Sequence, residues 1–481
     1  MKREFLINLL FLLAINLLIK PIFIFGIDRN VQNLVGETNY GLYYSLLNIT
    51  YLVQIIGDFG LQNYNNRYIS QHRQLLSKYF PVLLSLKVIL VLLYLLITMA
   101  TGLLLGYSAA FWMLFALTIN QLMVSMILFL RSNISGMGKY RIDSILSISD
   151  KLIVIIILSC IFWQPALKAN FRIEWFIYAQ LFSTVSIATI SFFIVWKLCD
   201  YNIRISFEKE KLLFFFKKSL PYATIILLMT LYTRVDVLML SKLLKDGNTQ
   251  VGIYAAAYRL LDASNMVGYL FASLLLPMFA RLLKTKEPIS SLVDYSFRIL
   301  FFGSLLLAAN IFVFRQPISR LLYTGATDYW GDVLGWLMWS FVPVAMNYIF
   351  GALLVANDTI HKLNRIFILG IFVNIVINIV LIGLFQAVGT AISTLITQTL
   401  VTSLMMILAF KEIEIKIFLP NFWLILFTIL AVAIPFLAKE INVEWKIQLL
   451  ASVCITFLVG IICKMLPLLN FYEVMTKKNE D

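Results

Sequence analysis

Long apolar runs separated by short polar loops fill this sequence from end to end. Each run holds roughly 20 residues, which as a helix matches the hydrocarbon thickness of a bilayer. An open sheet would leave backbone groups unsatisfied in lipid, and the runs lack the alternation of a membrane barrel. The sequence therefore predicts an all-α integral membrane protein with about fourteen transmembrane helices. The first two are expected over 5–26 and 40–62, and the eleventh and twelfth over 364–385 and 387–410.

The composition excludes most soluble classes of protein. Only 13% of the 481 residues are charged and 61% are hydrophobic, whereas soluble proteins carry about 25% charged residues. The net charge of +14 is spread over the loops, so we expect no nucleic-acid partner. The four cysteines show no CxxC spacing and are expected to be buried thiols, with no metal and no cofactor.

The basic residues indicate how the chain is oriented. If the N-terminus is inside, most lysines and arginines fall on the loops of that same face, which is the signature of a cytoplasmic face. Both termini are then cytoplasmic. The first apolar stretch lacks a small-residue cleavage site and is interrupted by Lys20 and Pro21, so we expect an uncleaved first span.

An internal echo suggests a duplicated architecture. YGLYYSLL from Tyr40 and VGIYAAAY from Val251 align Gly41 with Gly252. The offset corresponds to six spans, which leaves the orientation unchanged. We therefore expect two six-helix lobes in parallel repeat around a central cavity, as in many transporters, plus two C-terminal helices. The expected parts are the N-terminal lobe 1–200, a cytoplasmic linker 201–218, the C-terminal lobe 219–412, and the extra helices with the tail 413–481.

Charged residues inside the apolar runs are the first candidates for function. Arg234 and Asp236 lie halfway along the seventh run, and two positions apart on a helix they point to nearly opposite sides. A charge at that depth costs on the order of 2.5–3.5 kcal/mol on insertion scales, so it is expected to face a polar interior. Lys87 lies near the cytoplasmic end of the third run, where we expect its ammonium to snorkel to the interface. The neighbours Asp150 and Lys151 lie near the interface, and no role is assigned to them.

Four segments carry a resemblance to a known family. They are YGLYYSLLNITYLVQIIGDFGLQNYNNRYIS from Tyr40, SLPYATIILLMTLYTRVDVLMLSKLL from Ser219, VGIYAAAYRLLDASNMVGYLFASLLLPMFAR from Val251 and FILGIFVNIVINIVLIGLFQAVGTAISTLITQ from Phe367. These segments resemble polysaccharide flippases of the Wzx type, in the superfamily that also includes lipid II flippases and multidrug/toxin extruders. The resemblance implies a central cavity open alternately to each face, and oligosaccharides on undecaprenyl pyrophosphate as substrates.

The resemblance gives the intramembrane charges an expected role. Arg234, Arg259 and Lys20 lie in spans seven, eight and one, which line the cavity of the resembled fold, and a guanidinium suits a phosphate. Asp58, Asp236 and Asp262 are candidates for ion coupling, for sugar contacts or for charge pairing. The alternative is a structural ion-pair network, since Arg259 and Asp262 share a helix face. The Lys20-Pro21 pair predicts a kink that is either structural or a hinge.

The expected function is that of a flippase for cell-surface polysaccharide synthesis, such as lipopolysaccharide O-antigen or capsule. The expected location is the bacterial cytoplasmic (inner) membrane, with a polysaccharide polymerase and chain-length machinery as further partners. A cation-coupled multidrug exporter of the same superfamily is the nearest alternative, although its cavity should be acidic. A membrane glycosyltransferase or acyltransferase is disfavoured because no catalytic set is present. We therefore expect that the chain is not an enzyme.

Overall fold

The computed structural model describes residues 15–62, 64–65, 69, 76–199, 207–413 and 422–466, and within these ranges the chain is helical with no β-strand. This confirms the predicted all-α fold. The α-helices of the described part are α1 (Arg29–Asp58), α2 (Leu76–Leu104), α3 (Phe111–Gly136), α4 (Tyr140–Trp163), α5 (Pro165–Ala169), α6 (Ile173–Leu198), α7 (Lys209–Leu243), α8 (Gly247–Thr285), α9 (Ser290–Val313), α10 (Arg315–Leu322), α11 (Asp328–Trp339), α12 (Phe341–Ala356), α13 (Ile360–Ile413), α14 (Phe422–Lys439) and α15 (Trp445–Ile462).

The helices have the length and composition of membrane spans. Ten helical segments in the described ranges are long and apolar enough to cross a bilayer. One of them, α13, has 54 residues and non-helical backbone angles at Gln386, the residue between the predicted eleventh and twelfth spans. Ser393 donates to the Asn374 carbonyl at 3.4 Å across this break, so the chain reverses at Gln386, and α13 consists of two helices that lie against each other. The full number of about fourteen crossings stays a prediction.

The outer surface of the helices is apolar. Leu96, Phe182, Phe372 and Leu450 expose between 63% and 69% of their surface. Soluble monomers rarely expose large contiguous apolar patches, so side chains of this kind, repeated along the helices, belong against lipid. The fold is therefore that of a multi-pass membrane protein.

The break expected between the first two spans, within 27–39, falls at a single residue, Gly36. A π-helical segment spans Ile22–Asp28 directly after Pro21, and α1 follows it without an intervening loop. The helical path is interrupted only at Gly36, where φ is +78°, a conformation that glycine adopts without strain. The polar residues of this stretch ended the apolar run but not the helix, because Asn30, for example, donates to the Gly26 carbonyl at 2.6 Å.

The chain divides into two compact units, Met1–Gly252 and Ile253–Asp481, and the boundary falls within α8. In the first unit α1 packs against α2, α3 and α7, and α6 packs against α3 and α4. In the second unit α9 packs against α11, α12 and α14, while α13 packs against α11 and α12. Helix α7 begins at Lys209, so the second half of the predicted linker 201–218 is helical. The division into two six-helix lobes stays a prediction.

The repeated glycines lie at a crossing inside the first unit. A Cβ on Gly41 would lie 1.7 Å from the Asn248 carbonyl oxygen, and one on Gly252 would lie 2.0 Å from the Glu37 carbonyl oxygen. The two contacts are reciprocal, because each glycine meets the residue four positions before the other. Thr38 and Thr249, which are related by the same offset of 211 residues, share a hydrogen bond of 2.8 Å. The echo in the sequence thus marks a locally two-fold contact between α1 and the start of α8.

Candidate functional site

Arg234 contacts α1 from the C-terminal third of α7. Its guanidinium carbon lies 4.9 Å from the centroid of the Tyr51 ring, within the range of a cation–π contact. Its Nη1 lies 3.5 Å from Oδ1 of Asn48. Asn48 and Tyr51 are three positions apart and therefore share a face of α1. Helix α1 thus offers Arg234 an aromatic and an amide contact within the membrane.

Asp236, the second charge within the apolar part of α7, is 3% exposed, and this residue is not without an interaction partner. The two charges of α7 therefore have different environments, since Arg234 is only half-buried. This agrees with the expectation that neighbours two positions apart on a helix face different ways.

Lys20 belongs to a cluster of charges in the first unit. It lies in the electrostatic field of Lys151, Asp150 and Arg131. Lys151 forms an ion pair of 3.3 Å with Asp150, and its ammonium lies 4.9 Å from the Phe23 ring centroid. We call the residues Lys20, Lys151, Arg131, Asp143 and Asp150 the basic cluster, because it holds three cations and two carboxylates.

The remaining pair of the basic cluster joins α3 to α4. Arg131 donates from Nε to Oδ1 of Asp143 at 2.7 Å. Asp143, Ser147 and Asp150 follow one another at intervals of four and three residues, so they share a face of α4. Asn16 donates to Ser147 on that face at 3.2 Å. This polar stripe within an apolar span is the signal that our sequence analysis missed when it assigned no role to Asp150 and Lys151.

Pro21 directly precedes the π-helical segment Ile22–Asp28, which lies where the kink is expected. A proline removes one backbone hydrogen bond, and π-helical turns occur frequently at functional sites. The segment ends at Asp28, which is 1% exposed and accepts from the Tyr40 hydroxyl at 2.9 Å on both carboxylate oxygens. Sequence reasoning missed Asp28 because it placed this residue in a loop.

Asp58 forms an ion pair with Lys87, which corrects the expectation for that lysine. Lys87 does not snorkel: it is fully buried, and Nζ lies 3.1 Å from Oδ1 of Asp58. The ammonium also donates to the Gly57 carbonyl at 2.9 Å and to the Ser125 hydroxyl at 2.7 Å. Gly57 and Asp58 end α1, and a cation there satisfies a terminal carbonyl and the negative end of the helix dipole. The cost of burying the ammonium of Lys87 is thus offset by three acceptors, which belong to α1 and α3. No sequence pattern within α2 predicts these partners.

In the second unit, Arg259 and Asp262 form an ion pair on α8 with a separation of 3.8 Å between Nη1 and Oδ2. The Tyr348 phenol of α12 lies in the electrostatic field of Asp262. Oδ1 of Asn265, one turn further along α8, is buried without a hydrogen-bond partner in the described part of the chain. Sequence reasoning identified the charged pair, but not the polar groups that α12 and the next turn of α8 bring to it.

The predicted site residues thus lie in separate groups. Arg234, Asp236, Asp58 and Lys20 belong to the first unit, and Arg259 and Asp262 belong to the second. Among the described residues no group of three or more histidine, cysteine, aspartate or glutamate side chains is placed to hold a metal ion. The chemistry of these groups is that of charge recognition and hydrogen bonding, through ammonium, guanidinium, carboxylate and amide groups.

Solved structures with the same fold are membrane transport proteins. Lipid II flippase MurJ in an inward closed conformation aligns with a TM-score of 0.69 and 14% identity, over 97% of this chain and 99% of that chain. A multidrug resistance MATE family transporter of the MOP superfamily, in its inward-facing conformation, aligns with a TM-score of 0.65 and 15% identity, over 83% of this chain and 95% of that one. A MOP superfamily transporter from Pyrococcus furiosus aligns with a TM-score of 0.59 and 13% identity, over 85% and 95%.

The sequence itself matches one protein family. The family described as "Polysaccharide biosynthesis protein" covers residues 6–283, which is more than half of the chain. No curated protein matches the sequence. The family and the shared fold confirm the resemblance to Wzx-type flippases and to their superfamily, whose members are transporters rather than enzymes. The chain belongs to the polysaccharide biosynthesis protein family and has the fold of the MOP-superfamily transporters.

Proposed function

We propose that this protein is a flippase that moves undecaprenyl-pyrophosphate-linked oligosaccharide from the cytoplasmic to the outer leaflet by alternating access. Its product serves cell-surface polysaccharide synthesis, such as lipopolysaccharide O-antigen or capsule. It acts in the bacterial inner membrane with both termini in the cytoplasm, next to a polymerase and its chain-length machinery. The family and the fold support a membrane transporter of lipid-linked substrates in general; the substrate and the direction are our proposal.

The basic cluster is the observation that carries the proposal. Three cations on three segments, Lys20, Arg131 and Lys151, outnumber the two carboxylates beside them. A pyrophosphate carries negative charge and accepts several hydrogen bonds, so a net cationic cluster favours it. The predicted topology assigns the loop between α3 and α4 to the cytoplasm, which is the side from which we propose that the substrate is taken up.

Arg234 is the second contact that we propose for the substrate. Its guanidinium is held over Tyr51 and leaves a half-buried edge. A guanidinium offers two parallel donors to a phosphate and remains charged at any physiological pH. Arg259 stands in an ion pair with Asp262, and we propose that the substrate competes with that carboxylate for the guanidinium.

Two roles are open to the acidic residues, charge pairing and energy coupling. Asp58 and Asp262 lie in ion pairs, which favours charge pairing as their role. Asp236 is buried on α7, and a buried carboxylate is suited to carry a proton or to bind an ion. We propose Asp236 as the first residue to test if transport depends on an ion gradient.

Reconstitution in liposomes tests the function directly. The purified protein is inserted into vesicles that contain undecaprenyl-pyrophosphate oligosaccharide, and the transfer of this lipid between leaflets is measured with and without an imposed gradient of protons or sodium ions. Transfer above that of protein-free vesicles is expected. A gradient dependence that disappears in Asp236→Asn would identify this residue as the coupling site.

The same vesicles separate the flippase from a drug exporter. The fold shared with the multidrug resistance MATE transporter supports that second candidate. Accumulation of an organic cation, without leaflet transfer of several lipid-linked oligosaccharides, would refute the flippase and establish the exporter. The excess of cations in the basic cluster favours the anionic substrate, because like charges repel.

A further inference from the structure

Two turns of the first unit border an open cavity that plays no part in the proposed transport site. The turn between α2 and α3 and the turn between α7 and α8 line it, and its volume is about 360 Å³. Small-molecule sites in proteins have volumes of about 300–1,000 Å³. Its lining includes Tyr107, Ser241, Lys242, Lys245 and Asn248.

Lys242 is held in place at one wall of the cavity. Its ammonium donates a hydrogen bond to the Leu105 carbonyl and lies 3.6 Å from the centroid of the Tyr107 ring. The Tyr107 hydroxyl donates in turn to the Ser241 hydroxyl at 3.1 Å. An ammonium has three protons, so the bond to Leu105 leaves others that can reach a ligand. The cation is therefore positioned before any ligand binds.

Lys245 adds a second positive charge to the same cavity. It is exposed, and among the described residues it forms no hydrogen bond or ion pair. The adjacent carboxylate of Asp246 accepts from Nε2 of Gln250 at 2.9 Å, within the first turn of α8. The cavity thus offers two ammonium groups, and the acid that follows Lys245 in the sequence is engaged in a hydrogen bond of its own.

Aromatic and apolar side chains place this cavity at the level of lipid headgroups. Helix α2 ends at Leu104, which is 88% exposed, and α3 begins with Phe111 and Trp112, of which the tryptophan is 78% exposed. Tryptophan and lysine are the residues that anchor helix ends at the membrane surface. The turn between the two helices therefore lies where acyl chains meet phosphates.

We propose that this cavity binds the phosphate of an anionic phospholipid headgroup. The two ammonium groups recognise the phosphate as point charges, and the exposed apolar residues at the ends of α2 and α3 accommodate the start of the acyl chains. A free phosphate shares the charge but not the apolar part. A lipid therefore matches both the two ammonium groups and the apolar residues beside the cavity.

Native mass spectrometry of the purified full-length protein, with equal amounts of phosphatidylglycerol and phosphatidylcholine, tests the proposal. We expect the protein to retain phosphatidylglycerol preferentially. Lys245→Gln should lower that retention about fivefold, and Lys242→Gln combined with Lys245→Gln about 25-fold. Retention of phosphatidylcholine should not change. Lys439→Gln is the matched control, because it removes an exposed lysine from the end of α14 in the other unit.

Three results would contradict this assignment. They are equal retention of the two lipids, undiminished retention of phosphatidylglycerol in the double variant, and lysine-dependent binding of inorganic pyrophosphate without any preference for phosphatidylglycerol. The last result would identify a site for free phosphates instead. Lys245→Arg keeps the charge and should keep the lipid. Because Lys245 is exposed, its variants should melt at the wild-type temperature, which separates loss of lipid from loss of folding.

Discussion

A charged residue can be fully buried in this protein where another helix ends. Lys87 has all three ammonium protons matched by acceptors, namely the Gly57 carbonyl, the Asp58 carboxylate and the Ser125 hydroxyl. The end of α1 gains a cation for its terminal carbonyl. The same lysine placed against lipid would have no such compensation. The contact is therefore a structural junction of α1, α2 and α3.

Replacement of Lys87 by methionine should lower the free energy of unfolding by about 3–5 kcal/mol, because the largely buried carboxylate of Asp58 and the Gly57 carbonyl lose their partner. Denaturant titration in detergent measures the change. Lys78→Met is the control, since Lys78 is exposed on the same helix and its loss should cost no more than about 0.5 kcal/mol. If adding Asp58→Asn to Lys87→Met recovers none of the lost stability, the ion pair is not the cause.

Arg234 should be essential for transport and dispensable for folding. Arg234→Ala is expected to insert at normal levels and to lower leaflet transfer about 10-fold to 150-fold, which corresponds to one charge-assisted hydrogen bond of about 1.5–3 kcal/mol. Arg234→Lys should restore part of the activity if charge alone matters, and little if two parallel donors are required. The exposed Arg172→Ala should transport normally. Normal transport by Arg234→Ala would remove this residue from the mechanism.

At the scale of helices, the contact between α1 and the start of α8 depends on two side chains being absent. Gly41 and Gly252 bring backbone against backbone, so any Cβ at either position overlaps a carbonyl oxygen. Small residues allow such close approaches between membrane helices. The hydrogen bond between Thr38 and Thr249 then joins equivalent positions of the two repeats. Packing at this crossing requires glycine for steric reasons, without any strain in the backbone angles.

Gly252→Ala should therefore destabilise the protein by about 1–3 kcal/mol, because the added methyl group meets rigid backbone. Gly303→Ala is the matched control: it also lies within a long helix, and no atom lies within 4 Å of the added Cβ. That variant should be neutral or slightly stabilising, by at most about 1 kcal/mol. Thermal unfolding of both variants in detergent compares them. Equal melting temperatures would show that the crossing tolerates a methyl group.

For the whole molecule, the distribution of basic residues predicts the orientation in the membrane. In a variant without the four native cysteines, Lys168→Cys between α4 and α6 should react with a membrane-impermeant maleimide on intact cells. Lys284→Cys at the end of α8 should react only after permeabilisation. Both lysines are exposed, so access depends on sidedness alone. The opposite pattern of labelling would invert the predicted topology.

The sequence by itself determined the class of fold and the lipid environment, because hydrophobic length and helical hydrogen bonding are local properties. It also placed the break of α13 between the two predicted spans, and it located Gly41 and Gly252 as equivalent positions. The helical extension of the first span from Asp28 as far as Gly36 was not predicted, because polar residues such as Asn30 bond within the helix and end the apolar run without ending the helix.

Only the tertiary structure decided which charges meet. The association of Lys20 with Asp150, Lys151 and Arg131, and that of Lys87 with the end of α1, join residues far apart in the sequence. A side chain's partners are set by the packing of helices against one another, whereas periodicity within one helix shows only which residues share a face. The sequence could therefore name the charged residues, but not state which of them are neutralised by a neighbouring helix.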